Sequence, residues 1–180
     1  MSYYYLVASL PAIVPGAAPP MSPASFRVLC SEHLEPRHLH ELDAVLAGGG
    51  TSDFARQWQR QQTTLAHLCA RERAARYGVD AASLPAPLGV PDLALVRAAQ
   101  DALAATDPKA RELALDALRL ATLDHLAFAT PFELGAVLAY ALRLQIAARW
   151  AERTEATGRA ELGRHVDVLL QQFDRKGMGS

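Results

Sequence analysis

The chain has 180 residues, of which 51% are hydrophobic and 21% charged, and its formal charge is −1. A chain of this length buries roughly 70% of the surface its unfolded form exposes, which excludes wholesale disorder and allows one compact domain, or two small ones sharing a face. A charge this close to zero withholds the electrostatic footprint that nucleic acid or anionic lipid would demand.

Taken in chain order, Met1 to Pro20 is apolar but has no basic leading region, and Pro11, Pro15, Pro19 and Pro20 interrupt it. It reads as an ordered N-terminal segment docked on the core, not a signal peptide. Tyr3, Tyr4, Tyr5, Leu6 and Val7 suit a short extended run by propensity, and equally a helical turn or two. Ser22-Pro23 is a helix start, with Ser22 as N-cap and proline at the first helical position. Phe26, Leu29, Cys30 and Leu34 then form one apolar stripe. Pro36 restarts a short helix whose Leu39, Leu42 and Leu46 face inward, and Gly48-Gly49-Gly50 ends it. Thr51 or Ser52 caps a long amphipathic helix running to about Tyr77, with Phe54, Trp58, Leu65, Leu68 and Cys69 on its apolar side.

Residues 79–91 contain Pro85, Pro87, Gly89 and Pro91 and read as a linker. It separates an N-terminal half, 1–78, from a more apolar C-terminal half, 92–176, as two subdomains of one helical domain. Asp92 opens the next helix, and Asp107-Pro108 opens another. Leu113, Leu115, Leu118, Leu120, Leu123 and Leu126 make that second helix apolar nearly all round, which predicts burial on several sides. Thr130-Pro131-Phe132-Glu133 reads as a capping box with proline at the first helical position, opening a helix that continues past Trp150. A last helix carries Leu162, Val166, Leu169, Leu170 and Phe173. Alanine and leucine dominate, and both lose little side-chain freedom in helices. The expectation is an all-α fold of about seven helices in an irregular bundle. No stretch reaches the roughly 18 apolar residues of a membrane span.

Chemistry is sparse. Gly48-Gly49-Gly50-Thr51-Ser52 lacks the lysine and the preceding strand of a phosphate loop and reads as a helix stop. Glu32, His33, Glu35, His38, His40, Glu41 and Asp43 are the densest run of metal-ligand types. Only His38 and Glu41 have the spacing that puts two ligands on one helix face, so the run reads as a solvated polar face. His125 follows Asp124 near a helix end but has no serine or cysteine nucleophile nearby. His67 and Cys69, two apart, face different ways. Cys30 and Cys69 make neither a disulfide framework nor a zinc knuckle, which points to a reducing compartment. The chain is therefore expected to be no enzyme and to need no cofactor or metal. Arg143, Arg149 and Arg153, with Trp150, flank an apolar stripe of the penultimate helix; together with Tyr140 they are the candidate partner-binding residues. The other reading of the same arginines is a charged face whose stems cover the edge of the core.

Two blocks of sequence carry a resemblance. The first is Tyr3-Tyr4-Tyr5-Leu6-Val7-Ala8-Ser9-Leu10-Pro11 with Met21-Ser22 and Phe26 to Cys30. The second is Pro131-Phe132-Glu133, Val137-Leu138-Ala139-Tyr140, Leu142, Leu144, Arg149-Trp150 and Gly158. Together they resemble an uncharacterised bacterial family encoded among V-type ATPase subunits. The resemblance implies a non-catalytic coupling component or accessory. In role it is similar to the C-type socket of that ATPase (d-type in eukaryotes), a helical piece joining the central shaft to the membrane ring. Its implied partners are central-stalk subunits or the rotor ring, and its implied place is cytoplasmic, at the inner face of the cell membrane. The socket is longer and built of helical repeats, so this chain would correspond to only part of such a funnel. The resemblance carries over no site residue. Two other readings are a helical interaction module or homodimer unrelated to the ATPase, and a small metal-dependent enzyme built on His38 and Glu41.

Overall fold

The computed structural model describes residues 2–14, 17–80 and 92–153, together with Arg164. Among these residues the chain forms seven α-helices and no strand: α1 (Tyr4–Ser9), α2 (Pro23–His33), α3 (Pro36–Leu46), α4 (Asp53–Tyr77), α5 (Leu93–Ala104), α6 (Pro108–Phe128) and α7 (Leu134–Glu152). The all-α expectation holds. The N-terminal stretch left open between strand and helix is helical. Of the expected helix over Leu162–Phe173 only Arg164 is described, and it is helical; the rest of that helix and all of the linker except Val79 and Asp80 lie outside the described residues.

Most helix starts follow from local chemistry. The Ser22 hydroxyl accepts the Ser25 amide at 3.0 Å, the Ser52 hydroxyl accepts the Ala55 amide at 3.1 Å, and the Asp107 carboxylate accepts the amides of Lys109 and Ala110. Each satisfies a donor that the first helical turn leaves without a partner. Gly78 ends α4 in the left-handed conformation, φ +66°, where any residue with a Cβ is strained.

Two expectations need correction. The capping box at Thr130 does not form: Glu133 is the N-cap of α7, makes no side-chain cap, and the helix begins at Leu134. The reason lies at the other end of the chain. The Phe132 carbonyl, which a helix starting at Pro131 would use internally, instead accepts the Tyr3 amide at 2.5 Å and the Ser2 hydroxyl at 3.3 Å. Thr130 closes a turn through its backbone carbonyl, which accepts the Glu133 amide at 3.2 Å. Its hydroxyl packs where a Cβ on residue 135 would lie 2.6 Å away, so Gly135 is needed there. Second, α6 packs on several sides, against α4, α5 and α7, but is not buried all round. Leu113 is 48% exposed, and the fully sequestered positions are Leu115, Asp116 and Leu123.

The helix enclosed most fully is α7, where every residue from Ala136 to Leu142 is buried. It packs against α2, α3 and α6, while α4 packs against α5 and α6. The larger core joins Leu6 of α1, Phe26 and Cys30 of α2, Leu42 and Val45 of α3 and Phe54 and Trp58 of α4 to Val137, Leu138 and Leu144 of α7. A smaller core joins Leu65 of α4 to Leu95, Ala99 and Leu103 of α5 and Leu115 of α6. Each of the large side chains contributes roughly 1.5–3 kcal/mol by leaving water. Both cores draw on residues from either side of 79–91.

The triple glycine is a turn with a built anchor. Gly50 has φ +102°, and a Cβ there would meet Ala55, Glu41 and Val45 at 2.7–2.8 Å. The Glu41 carboxylate accepts the amides of Thr51, at 2.9 and 3.1 Å, and Ser52, at 2.8 Å, tying the end of α3 to the start of α4. Burial pushes the Glu41 carboxyl up, but the hydrogen bonds from Ser52 and Thr51 outweigh it and hold the group below its ordinary value.

Candidate functional site

Among the described residues the most concentrated chemistry lies where α6 crosses α7. Asp116 is 2% exposed and is the one buried charge among the described residues. Its carboxylate accepts from three side chains. Arg149 Nη2 reaches both oxygens, at 2.6 and 2.5 Å; Arg119 Nη1 reaches Oδ1 at 2.5 Å; Trp150 Nε1 reaches Oδ2 at 2.6 Å. Asp116 and Arg119 are three apart on α6 and so share a face, while adjacent Arg149 and Trp150 of α7 reach the same carboxylate from across the interface.

A second carboxylate flanks this hub. Glu112, one turn before Asp116, lies 3.8 Å from Arg149, 3.8 Å from Arg153 and 4.0 Å from Arg119. The Arg153 guanidinium also stands 5.5 Å over the Trp150 ring. On its far side Arg119 Nε donates to Gln62 Oε1 of α4 at 3.2 Å, so the cluster spans three helices. Burial pushes the Asp116 carboxyl up, but hydrogen bonds from Arg149, Trp150 and Arg119 and the Arg149 charge more than offset it, and the group lies below its ordinary value. It is ionised at neutral pH.

Beside the hub a cleft of about 440 Å³ opens between α3, α4, α6 and α7. Trp58, Leu142 and Ile146 give it apolar walls, and Arg119 and Arg149 give it a cationic side. Its dimensions fit a small molecule. Among the described residues no nucleophile and base converge there.

Arg149 and Trp150 are drawn inward by Asp116, and Arg153 covers Trp150. Arg143 pairs with Asp124 of α6. Tyr140 is buried, and its hydroxyl donates to the Pro11 carbonyl at 3.0 Å; burial raises its pKa. The five are thus distributed along the inner seam of α7 and its edge. His38 hydrogen-bonds the Tyr3 hydroxyl, and Glu41 is committed to the glycine turn, so the pair with metal spacing is spent on packing contacts. Among the described residues no three His, Cys, Asp or Glu side chains gather for a metal ion. His125 is exposed, and its neighbour Asp124 belongs to Arg143.

Asp116 itself was missed. The signal was present: it sits seven residues before Leu123, on the stripe that faces the core, and three before Arg119. A carboxylate in that register predicts a buried ion pair.

Residues 89–172, which span α5, α6 and α7, match the model of a family described as a protein of unknown function (DUF2764). No curated protein and no solved structure matches the chain. The hub and the α6 and α7 walls of the cleft fall within the matched segment, while the α3 and α4 walls lie outside it.

Proposed function

We propose that the chain is a non-catalytic structural component of a bacterial V-type ATPase, coupling the central shaft to the membrane ring or aiding assembly at the cytoplasmic face. One observation carries the reading. The two blocks that resemble the ATPase-associated family, remote in sequence, pack into a single unit: Tyr3 and Ser2 bond the Phe132 carbonyl, Tyr4 stacks against Phe132 with ring centroids 4.8 Å apart, and Tyr140 bonds Pro11. A resemblance confined to residues that assemble together has a physical reason to exist as a unit.

The same junction offers a contact surface. Tyr5 is 88% exposed, and Tyr4 and Phe132 are about half exposed beside it. Exposed aromatics of this kind are anchors at protein interfaces. They touch one another but, unlike Arg149 and Trp150, make no side-chain hydrogen bond among the described residues. A coupling element must also resist deformation, and the α6–α7 ion cluster supports that by tying three helices through polar contacts of fixed geometry. Among the described residues no helix is long and apolar enough to cross a membrane, which fits a peripheral attachment.

The test is co-elution of the tagged chain with ATPase shaft or ring proteins from its own membranes, repeated with the Tyr5→Ser/Phe132→Ser variant. Co-elution with the native chain and its loss with the variant, at unchanged helicity, are expected. Normal ATPase assembly and coupling in cells lacking the chain would overturn the reading. The aromatic surface equally favours a second reading, a helical interaction module unrelated to the ATPase. A tight dimer in light scattering, with no part of the ATPase retained, would establish that alternative.

A further inference from the structure

We propose that the cleft beside Asp116 is a binding site for a small organic carboxylate with an apolar body, a property independent of the coupling role. Among the described residues the cleft's lining contains two guanidiniums and no carboxylate. Asp116 lies behind them, 2% exposed, and occupies one edge of each arginine: Nη1 of Arg119 and Nη2 of Arg149. Arg119 Nη2 and Arg149 Nη1 have no hydrogen-bond partner among the described residues. The buried carboxylate thus does for these arginines what an outer-shell partner does for a ligating group, fixing their planes while leaving donors to spare.

The surroundings add to the positive potential. Arg149 Nε and Gln62 Nε2 are buried N–H donors without an acceptor among the described residues. Such unspent dipoles beside a cleft favour an anion in it. Glu112 compensates in part, but it also lies close to Arg153, so three guanidiniums stand against two carboxylates. Leu142 and Ile146 of α7 and the ring of Trp58 add an apolar surface that a bare inorganic anion would leave unused. A carboxylate head toward Arg119 and Arg149 with a hydrocarbon or aryl body against that wall satisfies both surfaces.

Calorimetric titration of the full chain with octanoate, octanamide and inorganic phosphate tests this. Octanoate is expected to bind saturably at one site, and both other probes at least about tenfold more weakly, since a hydrogen bond to a charged group is worth a factor of that order. The exposed Gln145→Glu variant places a carboxylate one turn before Arg149, where it competes for the same guanidinium edge. It is expected to weaken octanoate by at least about tenfold while leaving octanamide unchanged, and Ile146→Trp, which fills the apolar wall, is expected to weaken both. Absence of saturable octanoate binding, equal affinity for octanamide or phosphate, or octanoate binding unaffected by both variants would each overturn the proposal.

Discussion

Helices α6 and α7 are alike in alanine and leucine content and differ in how deeply they are buried. Both are long, rich in alanine and leucine, and lie against each other. In α7 seven consecutive residues are buried, whereas α6 buries Leu115, Asp116 and Leu123 and exposes Leu113. The difference comes from the charged residues. From Leu134 to Leu142 α7 carries none, while α6 carries Arg111, Glu112 and Arg119 among its leucines and keeps one side wet. Leucine content alone therefore does not report depth; the charge interleaved with it does.

The contrast predicts a graded response to substitution, measured by chemical denaturation. Leu138→Ala in α7 empties a fully buried site surrounded by helices and is expected to cost about 4 kcal/mol, within the usual span for a buried leucine. A loss below about 1 kcal/mol would mean the α7 core collapses to fill the void.

Asp116→Asn, nearly isosteric, removes the charge that compensates Arg149 and Arg119. The expected loss is about 3 kcal/mol, at the low end for a broken buried pair because Arg149 remains partly solvated. The pH dependence has a definite sign. The folded-state pKa of Asp116 is depressed, so its contribution is fully present above the ordinary carboxylate value of about 4 and is lost as pH falls below that toward the folded value. The variant should lose that part of the acid dependence, and native and variant stabilities should converge as pH falls. Parallel curves would assign the acid sensitivity to other carboxylates. Leu113→Ala on the wet side of α6 is the smallest effect, expected within about 0.5 kcal/mol.

What the sequence made legible was what neighbouring residues decide among themselves. Ser22-Pro23, Ser52, Asp92 and Asp107-Pro108 each place a helix start because the cap acts within three residues. Thr130-Pro131-Phe132-Glu133 has an equally good local pattern and fails, because the Phe132 carbonyl is claimed by Tyr3 from the far end of the chain. The same limit hid the ion cluster. Arg149 and Trp150 were recognised as belonging together, yet nothing near them in sequence names Asp116, and without that partner two polar side chains on a helix look outward. The cleft depends on four helices meeting, which local pattern does not encode.

The two cysteines have a practical consequence. Cys30 is wholly enclosed in the larger core and its thiol is pushed up to about 12 by burial, while Cys69 is half-buried against the smaller core and its thiol is raised less far. Thiolate is the form that alkylating reagents attack. The Cys30 sulfur therefore becomes reactive only when the packing around α2 gives way, and the native chain carries, without engineering, a chemical clock for the opening of its larger interior.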